Sequence, residues 1–97
     1  MKNSIFCGAV DFMDMELEYY IMEEDISKNG PESYGIKVVK TQFSEGGGAV
    51  TESKEIGNVF YRKSDAEKFI KLIKDNCVTP MSLMEVVEDY IVDYFLG

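Results

Sequence analysis

Carboxylates are the reactive groups this sequence supplies in quantity. Asp11, Asp14, Glu16 and Glu18 cluster near the start, Glu23, Glu24 and Asp25 follow as a run, and Glu85, Asp89 and Asp93 recur at every fourth residue. Grouped carboxylates hold hard cations, or work in pairs as acid and base on a glycosidic bond. Neither pattern is specific here. The first two groups lack the Gly-centred spacing of a calcium loop, and any acidic chain offers carboxylate pairs. Alternating carboxylates on a strand read as a wet sheet face. No metal and no other cofactor is expected.

The other chemistry-bearing types are sparse. The chain has no histidine, which removes the commonest general base, the commonest metal ligand and every His-dependent triad. Cys7 and Cys77 lie far apart, in neither a CxxC nor a metal-ligand spacing. They read as small, reduced, unlinked hydrophobes. Gly46-Gly47-Gly48 would suit a phosphate cradle only with a lysine and a helix N-terminus after it. A strand pattern follows instead, so the glycines read as a hairpin tip. The expectation is a protein that is not an enzyme.

Charge narrows the partners. Ten basic residues face 18 acidic ones, giving −8. That balance repels phosphates and argues against direct nucleic-acid binding. It favours solubility, docking on a basic protein, or imitation of a polyanion. No apolar run reaches the length of about 18 residues that marks a membrane-spanning helix. The opening "MKNSIFCGAVDFMDME" is too short and broken for a signal peptide. A cytoplasmic protein with no membrane contact is expected.

The elements that position these groups follow from periodicity. Residues 1–12 show no clear period, with Gly8 and Ala9 in the middle, and read as a short edge strand or a loosely ordered segment. From Met13 the pattern alternates: Met13, Met15, Leu17, Tyr19 and Ile21 share one face. Asn29-Gly30-Pro31 marks a turn. Tyr34–Phe43 is a second strand whose apolar phase slips after Val38, which implies a bulge or two partly covered faces. Ala49–Ile56 is a third, more polar strand suited to an edge, and Gly57–Lys63 bridges to a helix. Ser64 and Glu67 form a capping-box pattern, Ala66, Phe69, Ile70, Ile73 and Cys77 make one apolar stripe, and Asn76 is the stop. Thr79 and Pro80 open a second helix. Its apolar arc holds Leu83, Met84, Val86, Val87, Tyr90, Ile91, Tyr94 and Phe95. The fold class is α+β, a three-stranded antiparallel sheet in the order β-β-β-α-α with two C-terminal helices packed on one face. Residues 1–97 form a single domain.

Three short stretches carry a resemblance. Tyr34-Gly35-Ile36, Val78-Thr79-Pro80 and Val87-Glu88-Asp89 resemble motifs of a small family of proteins of unknown function from clostridia and related Firmicutes, over roughly residues 15–95. The resemblance implies a bacterial cytosolic protein and carries over no catalytic residue.

The last helix also has a second side. Glu85, Asp89 and Asp93 form a ridge of like charge, which costs a few tenths of a kcal/mol per adjacent pair in an isolated helix. Asp93 lies near the negative end of the helix dipole. Val92 and Leu96 fall on or near this side. Together Glu85, Asp89, Val92, Asp93 and Leu96 are the expected partner-binding residues, facing a protein partner or a second copy of the chain. The expected function is a small acidic interaction or regulatory domain. The alternative is an acidic decoy, of the type phages encode, that inhibits a nucleic-acid-binding protein.

Overall fold

Alternation of apolar and polar side chains decides which face of each central strand is buried. The computed structural model describes the backbone of residues 3–96 and the side chains of residues 3–93. The central strands are β2 (Met15–Glu24) and β3 (Ser33–Phe43). Leu17, Tyr19 and Ile21 of β2 and Tyr34, Ile36 and Val38 of β3 are buried. The antiparallel register sets Tyr19 opposite Val38 and Ile21 opposite Ile36, so these side chains make one apolar floor. β1 (Asn3–Phe12) and β4 (Ala49–Phe60) are the edges of a meander ordered β1-β2-β3-β4.

The sheet therefore has four strands and not three. The added strand is β1. Phe6 pairs with Tyr20 and Gly8 with Tyr19, leaving Cys7 as an extra residue in a bulge. Gly8 takes a φ of 129° there, a region that favours glycine. The bulge puts Ile5 and Val10, which differ in parity, opposite Ile21 and Leu17 on the same buried side. Alternation is lost in the sequence although the strand is intact. Met1 and Lys2 lie outside the described residues. Met13 does not share the face of Leu17; it is in the Met13-Asp14 turn, at φ 57°.

The apolar slip in β3 has the second of its two explanations. β3 pairs with β2 without interruption, and Val39 and Thr41 are half-buried on the opposite face. The irregularity belongs to β4, between the pairs Ile36–Ile56 and Tyr34–Phe60. Asn58, at φ 54°, marks that bulge. Gly57–Phe60 is thus a continuation of β4 and not a bridge, and it brings Val59 and Phe60 into the core.

Two helices cover one face. α1 (Lys63–Asp75) buries Ala66, Phe69, Ile70 and Ile73. It starts with Arg62 at the N-cap and no side-chain cap, so the Ser64–Glu67 box does not form. Asn76 ends it, its amide donating to the Leu72 carbonyl at 2.7 Å. α2 (Pro80–Leu96) begins at Pro80, buries Leu83 and Val87, and half-buries Val86, Tyr90 and Ile91. The side chains of Tyr94 and Phe95 lie outside the described residues. The rings of Phe60, Phe69 and Tyr90 join β4, α1 and α2, with centroids 4.9 to 5.9 Å apart. The Tyr19 hydroxyl donates to the Val78 carbonyl at 2.9 Å, fixing the α1–α2 connection over β2. Among the described residues no helix is long and apolar enough to cross a membrane.

Candidate protein-docking surface

α2 carries four acids and no base between Pro80 and Leu96. At about 100° per residue, Glu85, Asp89 and Asp93 fall in one row. All three are exposed. Among the described residues no ion pair joins them to the lysines of α1. Lys71 pairs with Asp75 at 3.3 Å, and Lys74 Nζ donates to the Cys7 carbonyl at 3.3 Å.

Val92 stands apart from that row. It is 54% exposed and lines a groove of about 520 Å³ between α2 and β4. Met84, Glu88 and Ile91 share the helix wall, and Ile56, Gly57, Asn58 and Val59 form the strand wall. Met84 also borders a second groove of about 470 Å³, which runs past Met81 and Pro80 to Glu52, Ser53 and Lys54. The two make one seam along the β4 edge. Two of its apolar side chains are open to solvent: Met81 is 85% exposed and Met84 40%.

Of the five residues expected from sequence, Glu85, Asp89 and Asp93 thus lie on one ridge and Val92 lies beside it in the seam. The Leu96 side chain lies outside the described residues. The seam adds Met81, Met84, Glu88 and the Ile56–Val59 stretch, none of them among the five, and helical spacing alone puts Met84 in the core arc. The signal was present. Met81, Met84, Glu88 and Val92 recur at steps of three and four, a stripe separate from the Leu83–Val87 stripe. Only the position of the β4 edge shows which of these stripes remains open.

The other acidic groups divide. Glu16 and Glu18 are half-buried on the sheet face that carries no helix, where the Tyr20 hydroxyl donates to Glu18 at 3.0 Å. Glu24 is not part of a wet cluster. It is 5% exposed, its carboxylate resting against Gly35 and Gly57 and accepting the Asn58 N–H at 3.4 Å. The Ser33 hydroxyl holds the Asn58 side chain at 2.6 Å. Among the described residues no three His, Cys, Asp or Glu side chains group to hold a metal ion. Cys7 and Cys77 are free and half-buried, and burial pushes the Cys7 thiol up, away from a reactive thiolate.

Comparison with curated proteins finds no match, and neither does comparison with solved structures. A family model, by contrast, matches residues 2–93, almost the whole chain. The chain belongs to the family of unknown function DUF6514.

Proposed function

We propose that this chain is a non-enzymatic interaction domain of the bacterial cytoplasm, and that it docks a basic amphipathic segment of another protein along the α2–β4 seam. One observation carries the reading: Met81, Met84 and Val92 stand exposed on a helix whose charged residues are all acidic. Contiguous exposed apolar side chains with a polar rim mark contact sites. Methionine suits a surface that must adapt to its ligand. The carboxylate rim steers and selects a basic partner. The resemblance to clostridial proteins supports the bacterial setting.

The decoy reading uses charge alone. A mimic of a polyanion would act through Glu85, Asp89 and Asp93 and be indifferent to Met84. Fluorescence anisotropy with a helical peptide of alternating leucine and lysine faces separates the two. The pair Met84→Ser and Val92→Ser should weaken binding at least about tenfold at every salt concentration. The pair Asp89→Lys and Asp93→Lys should weaken it at low salt and far less at high salt. Full binding by the Met84/Val92 variant, with loss in the Asp89/Asp93 variant, would replace docking by the decoy.

A further inference from the structure

The two edges of the sheet are built differently. β4 carries Glu52, Lys54 and Glu55 within its length, the charged side chains by which natural edges resist further pairing. β1 has one charged residue in ten, Asp11, and no lysine or proline. The rest includes Ile5, Phe6, Cys7, Ala9, Val10 and Phe12. Phe6 is 56% exposed, although it packs edge-on against Tyr20 with centroids at 5.5 Å. A long apolar edge of this kind is a template for strand addition.

We infer that β1 pairs antiparallel with β1 of a second copy, giving a two-fold dimer with one continuous eight-stranded sheet. The register follows from the bulge. Ile5 and Val10 lie on the helix side, opposite Ile21 and Leu17, whereas Phe6 and Ala9 lie on the open side, opposite Tyr20 and Glu18. Self-pairing along the whole strand keeps every side chain on its face when Ile5 of one copy meets Val10 of the other. Phe6 then meets Ala9, and the Cys7–Gly8 bulge sits at the two-fold axis. The lone Asp11 meets Ser4, never a second Asp11. Strands ten residues long supply on the order of ten backbone hydrogen bonds, as many as a typical protein interface holds.

The matched faces favour a second copy at this edge, and the helix side that flanks it carries charges of both signs. A chain of net charge −8 repels itself overall. On the helix side of β1, Lys63, Lys71 and Lys74 of α1 border the groove beside Ile5 and Cys7, with Glu67 and Asp75 among them, so both signs are present there. The acidic helix α2 packs toward β3 and β4, so a two-fold axis at β1 keeps the two copies of it apart. Both docking seams then stay open at the outer ends of the sheet.

Sedimentation equilibrium across the micromolar range tests this with two charge variants. Phe6→Lys with Ala9→Lys sets like charges opposite each other twice, and should weaken the dimer about tenfold. Phe6→Glu with Ala9→Lys sets opposite charges together and should restore it. Melting curves establish that both fold. Should either fail to fold, amide exchange of the wild type decides: β1 amides should lose protection on dilution while β4 amides do not change. A wild type that stays monomeric, equal dimerisation of the two variants, or β1 exchange independent of concentration would overturn the proposal.

Discussion

Glu24 and Gly35 show how one side chain dictates its neighbour. A Cβ at Gly35 would overlap the Glu24 carboxylate and the Ile56 carbonyl, and come within 3.0 Å of the Gly57 Cα. Two of these obstacles are backbone and do not swing away. Gly35→Ala should therefore destabilise the fold by about 1–3 kcal/mol, near the top of that range. Gly46→Ala is the control, since a Cβ there meets nothing within 4 Å; its effect should stay within about 0.5 kcal/mol. Urea midpoints of the two variants measure both. The Tyr34-Gly35-Ile36 motif is thereby explained as packing: the glycine makes room for a buried acid. The sequence could not announce this, because Glu23-Glu24-Asp25 reads as an exposed acidic run until the β4 bulge is known.

Elements were legible where one period ran unbroken. Leu17, Tyr19 and Ile21, and Ala66, Phe69, Ile70 and Ile73, keep to a single face and are buried as read. Legibility failed at the bulges. Cys7 reverses the parity of β1, and Asn58 interrupts β4, so the pattern alone leaves β1 undecided between an edge strand and a loose segment and ends the last strand early at Ile56. Neither bulge follows from a local propensity; each is set by pairing with a neighbour. The capping box failed for a related reason, because the chain leaving β4 places Arg62 at the cap.

At this scale Tyr19 joins the layers. Burial, with a smaller contribution from the charge of Cys77, pushes its hydroxyl from the ordinary value of 10 up to about 12. The folded state thus holds the proton more tightly than the unfolded chain. The stabilisation is complete below the unfolded value and is lost as pH rises through the folded one. Melting temperature should fall between pH 10 and about 12. Tyr19→Phe should remove that part of the fall, at a cost of about 1 kcal/mol at neutral pH for the lost bond to Val78.

Over the whole molecule, charge is unevenly shared. α1 mixes lysines with acids, while α2 has only acids. The ridge of Glu85, Asp89 and Asp93 is unfavourable for an isolated helix. Replacing Asp89 and Asp93 by lysine should leave the fold intact or raise its stability by up to about 1 kcal/mol, as thermal melts would record. The ridge was legible from its spacing alone. The seam was not, because a helical wheel does not reveal which side of α2 overhangs the β4 edge.

The most direct test maps binding on the labelled protein. Amide shifts are followed while the leucine–lysine peptide is added. Docking in the seam predicts the largest changes at Met81, Met84, Glu88 and Val92 and along Ile56–Val59, with Glu16 and Glu18 of β2 unmoved. Changes that track carboxylates wherever they lie, Glu16 and Glu18 included, while Met84 and Val92 stay still, would contradict it.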